Sequence, residues 1–331
     1  MVIGAYGTLN SDGEFNVEDV CYPEMAPQPL PATKSLKQDP MVVYKKDGSD
    51  SIPDENRYLA IISGLEFDNK DATTAPMQLL VDFLGGLIPE TECLDASISR
   101  QIVGMVVAGN SIVSCDTDSA EFLYGLTSAQ LITNEQVSQD STRILRANFG
   151  KLDEYFNQLS SLLPLIVMPG ETDPVTRLFP QQKFPTTLFQ KSSTKSTFLP
   201  TTNPINITID DVLIMGTSGQ NIDDYYRCVP GTRNDDTGLR AEIASSTLKS
   251  RVLSPTCPDT LPTFPNSEMD PFTILQTPHV YFIGNQPEFK CRTFQYPNGI
   301  KVLIILIPKF KYTNQVVLLN LNTLSCSLLS F

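Results

Sequence analysis

The segment RYLAIISGL, Arg57–Leu65, decides the fold. Its apolar run is too continuous for a strand with one wet face, so it reads as a buried strand that ends on Ser63-Gly64. Two later segments repeat the form: RQIVGMVVAGN, Arg100–Asn110, and LIVMPG, Leu165–Gly170, each closing on glycine and polar residues. Helical patterns separate them. Met77, Leu80, Val81 and Leu84 share one side of a predicted helix over Thr74–Leu84. Ile144, Leu145, Phe149, Leu152, Tyr155, Phe156, Leu159 and Leu163 do the same over Ser141–Leu163, and Pro164 stops that helix. Apolar strands alternating with helices predict α/β architecture around a central sheet.

Upstream, Val2–Leu9 and Glu14–Val20 flank Asn10-Ser11-Asp12-Gly13, a hairpin signal. Such a hairpin is marginal alone, so it is expected to belong to a small β domain or to pack on the main body. Pro23–Asp54 is rich in Pro, Lys, Gln and Asp and reads as an extended connector. Downstream, Glu171–Pro204 reads as a long loop, and Ile207–Asn221 as a hairpin leading into a helix that carries Asp223 and Asp224 near its start. A surface loop at Pro230–Gly238 precedes a helix over Leu239–Arg251. Five strands then follow, at His279–Asn285, Cys291–Tyr296, Ile300–Pro308, Asn314–Leu321 and Ser325–Phe331, with turns at Pro297-Asn298-Gly299 and Asn322-Thr323. They are expected to place a second sheet against the first.

Composition excludes several function classes. The 331 residues hold 24 Lys+Arg against 37 Asp+Glu, a formal net charge of -13, so little or no autonomous nucleic-acid binding is expected. His279 is the single histidine, which rules out a multi-histidine zinc site or an HExxH helix. The 7 cysteines are scattered without a CxxC pair and read as reduced intracellular thiols. No window reaches the length of a membrane span and the N-terminus lacks a secretory pattern, so a soluble intracellular protein is expected.

The strand ends are where α/β proteins present functional groups. Here they carry Ser63-Gly64-Leu65, Gly109-Asn110-Ser111, Pro169-Gly170-Glu171-Thr172-Asp173 and Gly284-Asn285-Gln286-Pro287. A hydrolytic two-metal centre needs carboxylates and imidazoles at such places to hold cations about 3.5–4 Å apart. Only Glu171 and Asp173 are carboxylates, so structural turns are expected there instead. The same reading applies to His279, expected to be a partly buried ring donating to a backbone carbonyl. Gly216–Asn221, GTSGQN, is expected to be a strand–helix turn rather than an anion cradle, since no P-loop ending follows.

HVYFIGNQPEF (His279–Phe289), VMPGETDP (Val167–Pro174), DDVLIMGTSGQNIDD (Asp210–Asp224), RVLSPTCPDTLPTFP (Arg251–Pro265) and VLLNLNTLSCSLLSF (Val317–Phe331) resemble, block by block and in order, the B subunits of eukaryotic DNA polymerase delta. YLAIISGLEF (Tyr58–Phe67) and QLLVDFLGG (Gln78–Gly86) fit as well, and the resemblance runs essentially from end to end. It implies a two-sheet calcineurin-like phosphoesterase sandwich with flanking helices and no activity. It also implies a division into OB-domain strands at 1–22, a connector at 23–54 and the phosphoesterase-like domain at 55–331. Members carry a full OB domain before this point, and only its last strands are expected here.

Where active phosphoesterases have Asp-x-His, this chain has Ser63-Gly64-Leu65. Their Gly-Asp corresponds to Gly109-Asn110, with Val113 replacing a later Asp. Their Gly-Asn-His-Asp/Glu corresponds to Gly170-Glu171-Thr172-Asp173, and Gly-His-x-His to Gly284-Asn285-Gln286-Pro287. Asp173 is the acidic survivor, and its replacement by Ala is expected to leave assembly and synthesis nearly intact. The resemblance implies no cofactor, no metal and a nuclear location. Its implied partners are the cysteine-rich C-terminal domain of the polymerase delta catalytic subunit and a third subunit that links to the sliding clamp. A B subunit of another replicative polymerase and a residual metal-dependent phosphoesterase are the alternatives. Asp223–Arg227, expected as an exposed loop, and Phe264–Phe272 are the candidate contact segments.

Overall fold

The computed structural model describes residues 4–21, 23–29, 56–68, 74–88, 96–113, 135–230, 236–265, 270–296 and 298–331. Most of the connector, Cys93, Cys115, Pro297, the side chain of Ile144 and parts of the 230–238 and 264–272 segments lie outside these residues.

The near-continuous apolar strands follow from burial on both faces. One sheet holds six strands: β3 (Tyr58–Ile62), β4 (Ile102–Ala108), β5 (Leu165–Met168), β6 (Phe198–Pro200), β12 (Gln315–Asn320) and the more exposed edge strand β13 (Ser325–Ser330). Their order across the sheet is β13-β12-β3-β4-β5-β6. β3 through β6 pair in parallel; β12 and β13 add antiparallel. A second sheet contains β7 (Ile205–Ile209), β8 (Val212–Thr217), β9 (Val280–Gln286), β10 (Lys290–Gln295) and β11 (Lys301–Pro308). These five strands lie in the order β10-β11-β9-β8-β7.

The two-residue period of a strand sorts these side chains into layers. Leu59, Ile61, Val106, Ala108, Ile166 and Met168 point to one face of the first sheet and meet Ile205, Ile207, Val280, Phe282, Leu303 and Ile305 of the second. Alternate residues point away. Ala60, Ile62, Met105 and Val107 pack under α1 (Thr74–Leu84) and α3 (Glu135–Leu162), against Met77, Leu80, Leu152, Phe156 and Leu159. Tyr281, Ile283, Ile304 and Leu306 pack under α4 (Gln220–Cys228) and α5 (Thr237–Ser250), against Ile222, Tyr226, Ala244 and Leu248. Helices, sheet, sheet, helices is the sequence of layers. A short α2 (Ala96–Gln101) leads into β4.

Two expectations need correcting. The last two strands do not extend the second sheet: after β11, a single turn α6 (Phe310–Thr313) passes the chain back, and β12 lies beside β3. This works because β12 is apolar on both faces, Val317 and Leu319 turning toward the other sheet and Val316 and Leu318 toward the helices. The 171–204 stretch is also more ordered than a loop. It contains β6 and two 3₁₀ turns, and Asp153 of α3 accepts hydrogen bonds from the Lys191 and Ser192 amides at 2.7 and 2.9 Å. Phe184, Phe189 and Phe198 from this stretch join Phe149 and Phe156 in one aromatic cluster.

At the other end, β1 (Gly4–Leu9) and β2 (Phe15–Cys21) form the expected hairpin, its turn held by Asn10 Oδ1, which accepts from the Asp12 and Glu14 amides. It pairs with neither main sheet, and Tyr6 and Phe15 are 70% and 51% exposed. The start of the connector, by contrast, is strapped to the body. Thr277 donates from its amide to Pro27 O and from its hydroxyl to Ala26 O, and Gln28 Nε2 donates to Pro278 O and Lys301 O.

Gly216 is paired with Phe282 across β8 and β9, and a Cβ there would overlap the Phe282 ring. Gly216→Ala should therefore cost about 1–3 kcal/mol through overpacking. Urea unfolding monitored by circular dichroism would show the lowered midpoint.

Candidate functional site

Because β3, β4 and β5 are parallel, and β8, β9 and β11 are parallel in the other sheet, their C-terminal ends gather at one edge of the sandwich. Ser63 is fully buried there. Its hydroxyl accepts the Asn285 amide at 2.9 Å and lies 3.2 and 3.1 Å from the Ile307 and Pro308 carbonyls. Asn285 Nδ2 donates to Ala108 O at 3.3 Å and Ser218 O at 2.7 Å. One serine and one asparagine thus tie the ends of β3, β4, β8, β9 and β11 together. Gly64, at φ 60, is required at this junction, since a Cβ would lie 2.7 Å from Asn285 Oδ1. Asn110 and Asn285 supply further left-handed turns at φ 53 and 58, a conformation asparagine tolerates better than most residues.

The two carboxylates part company. Glu171 is exposed, whereas Asp173 is 4% exposed and turned inward. Asp173 Oδ1 accepts the Ser111 and Ile112 amides at 2.8 and 3.1 Å, and Oδ2 accepts the Gly170 amide at 2.8 Å. Burial pushes the Asp173 carboxyl up to about 6, opposed by hydrogen bonds from these amides and from that of Asn110. At neutral pH it is chiefly a carboxylate, held by backbone donors of the turns after β4 and β5. Thr172 completes the clasp: its amide donates to Asn110 Oδ1 and its hydroxyl to Ile112 O.

The other positions scatter. Leu65 is buried in the layer under α1 and α3, Val113 is half-buried, and Pro287 is exposed. Among the described residues, no group of three or more His, Cys, Asp or Glu side chains is placed to share a metal ion. A pocket of about 140 Å³ opens beside the strand ends, lined by Asn285, Gln286, Pro287, Lys309, Tyr312 and Thr313. Small-molecule sites usually need about 300 Å³ or more. Beside it, Lys309 Nζ lies 2.7 Å from Glu66 Oε1, and the Tyr312 hydroxyl donates to Glu66 Oε2.

Sequence reasoning missed the Glu66–Lys309–Tyr312 group, because its members are separated by most of the chain. It missed a buried amide network as well. Asn203 Nδ2 donates to Gln181 Oε1, Ser218 Oγ and Gln220 Oε1, and Gln181 Nε2 reaches Gly170 O. No local pattern marks either group.

The segment Asp223–Arg227 lies in α4, as the expected helix carrying Asp223 and Asp224 required, and is not the exposed loop also expected of it as a contact segment. Asp223 pairs with buried Arg240, Asp224 accepts from Thr260 Oγ1, and Tyr226 is buried under the Arg240 guanidinium, 4.3 Å from its ring centre. GTSGQN joins β8 to α4, as expected of a strand–helix turn, and Asn221 Nδ2 is committed internally to Leu253 O and the Tyr281 hydroxyl. Phe272 is buried and stacks on Phe179, while Phe264 is 62% exposed. His279 is half-buried as expected; its ring donates to the Pro29 carbonyl, and Nδ1 accepts the Leu213 amide at 3.0 Å.

Sheets closed at this edge by buried side chains that bind backbone groups define an α/β protein whose strand ends serve cohesion. Residues 59–291 match the family of DNA polymerase alpha/epsilon B subunits, and the chain belongs to that family. Among curated relatives, the DNA polymerase delta small subunit of Oryza sativa subsp. japonica is 34% identical over 100% of this chain and 68% of its own length. That of Arabidopsis thaliana is 33% identical over 100% and 66%, and that of Saccharomyces cerevisiae is 30% identical over 98% and 63%. The chain thus spans about two thirds of the length of these relatives. A solved archaeal phosphodiesterase aligns at 9% identity over 83% of this chain and 99% of its own, with a TM-score of 0.38, a likeness too loose to bear on the fold.

Two outcomes follow from this geometry. Asp173→Ala strips the acceptor from several buried amides, so it should lower stability by about 2–4 kcal/mol, measured by chemical denaturation. His279 is held below its ordinary pKa, chiefly by burial. Below about pH 6.5 the unfolded chain takes up a proton that the folded ring resists. Its contribution is therefore intact above about pH 6.5 and is lost as pH falls toward the lowered folded value. His279→Gln should flatten that part of the Tm-against-pH profile.

Proposed function

We propose that this chain is a non-catalytic accessory subunit of nuclear DNA polymerase delta, bridging the cysteine-rich C-terminal domain of the catalytic subunit and a third subunit that links to the sliding clamp. The observation that carries this reading is end-to-end similarity to delta small subunits from plants and yeast. The proposed architecture is an inactive calcineurin-like phosphoesterase domain over 55–331, joined by 23–54 to OB-type strands at 1–22. Ser63, Leu65, Asn110, Val113, Glu171, Thr172, Asn285 and Pro287 stand at the degenerate ligand positions, with Asp173 the remaining acid. Their commitment to backbone hydrogen bonds, core packing or solvent supports the lack of catalysis. An acidic body, with net charge -13, suits protein contacts and disfavours direct competition for DNA.

Two experiments test the reading. Co-expression of residues 1–331 with the C-terminal region of the delta catalytic subunit should yield a 1:1 complex by size-exclusion chromatography. A folded, monodisperse chain that binds the equivalent region of the alpha or epsilon catalytic subunit instead would move the assignment to another polymerase. The chain should also show no phosphodiester hydrolysis with manganese above that of a Glu171→Gln, Asp173→Asn double variant. Activity lost specifically in that variant would restore the phosphoesterase alternative.

A further inference from the structure

The outer edges of the two sheets carry a pair of thiols. β10 is the edge strand of the five-stranded sheet and β13 the edge strand of the six-stranded sheet. Cys291 of β10 is in register with Ile305, and Cys326 of β13 with Leu319. Ile305 and Leu319 both point into the layer between the sheets, and both cysteines pack against that same layer. Side chains in register on paired strands share a face, so each thiol is turned inward from its own edge. They meet there, close enough for one thiol to donate to the other. Both are half-buried and unbridged.

We propose that Cys291 and Cys326 are a redox modification site, closing to an intramolecular disulfide that cross-links the two sheets when the protein meets a peroxide. The Cys291 thiolate attacks one peroxide oxygen, and with one proton taken up this gives a sulfenic acid and releases the first water. The Cys326 thiol then attacks the sulfenic sulfur, forming the S–S bond and releasing the second water. Two thiols lose one electron each, and the peroxide gains both. The order of events follows from the environment: the hydrogen bond from Cys326 holds Cys291 below the ordinary thiol range, while the same contact and burial raise Cys326. Cys291 is thus the nucleophile and Cys326 the resolving thiol.

The bridge would span two strands that each have a neighbour on one side only, the positions in a sheet most prone to fray. It would also close the loop through β11 and β12, constraining the unfolded chain. The full chain is treated with hydrogen peroxide, quenched with an alkylating agent, digested without reductant and mapped by mass spectrometry. The expected result is a linked Cys291–Cys326 peptide from monomeric protein, with Tm raised by about 5 °C and restored by dithiothreitol. Cys291→Ser and Cys326→Ser should each lose the linked peptide and the Tm gain, whereas Cys228→Ser should keep both. Full alkylation of both thiols after peroxide, or their linkage to other cysteines only, would overturn the proposal. Mapping of the unsubstituted chain decides this even if a serine variant folds poorly.

Discussion

The layer between the two sheets is the constraint on which the rest depends. Each sheet has one face against the other and one against helices, so its central strands are apolar throughout and supply two different cores from alternate positions. A one-residue slip would exchange the partners of every side chain. The close fit of Gly216 against Phe282 and the return of β12 to β3 are consequences of filling this layer without gaps.

Bringing two sheets together also brings their strand ends together, and those ends must satisfy many buried backbone groups without water. Ser63 and Asn285 link strands of different sheets, and Asp173 binds the turns after β4 and β5. In an enzyme such an edge is where side chains are left free for substrate. Here Ser63, Asp173 and the Asn285 amide nitrogen are committed to the fold, while Asn285 Oδ1 and Ser111 Oγ are buried without a hydrogen-bond partner. A carboxylate already held by backbone N–H donors has little capacity left for a cation, and its partner Glu171 is turned to solvent.

The periphery is less committed. The β1–β2 hairpin stands apart from both sheets, while residues 26–28 bind the body through Thr277 and Gln28. The edge strands β10 and β13 meet through thiols rather than through a further strand.

Much was legible from the chain alone. Continuous apolar strands, helices with a 3.6-residue apolar period and turns rich in glycine and asparagine are local signals, and Thr74–Leu84 and the C-terminal strands were read close to their observed bounds. The scarcity of histidine and acids at the strand ends excluded a histidine-rich metal centre before any geometry was known. What only the tertiary structure decided depends on contacts between distant residues. Sequence does not say which sheet an apolar strand joins, so β12 and β13 were placed with the wrong partner. Nor does a residue type reveal its orientation: Asp173 could have faced solvent or a cation, and only packing turned it onto the amides of Ser111, Ile112 and Gly170. Local propensity acts over a few residues, whereas strand order and the direction of a buried carboxylate are set by desolvation across the whole core.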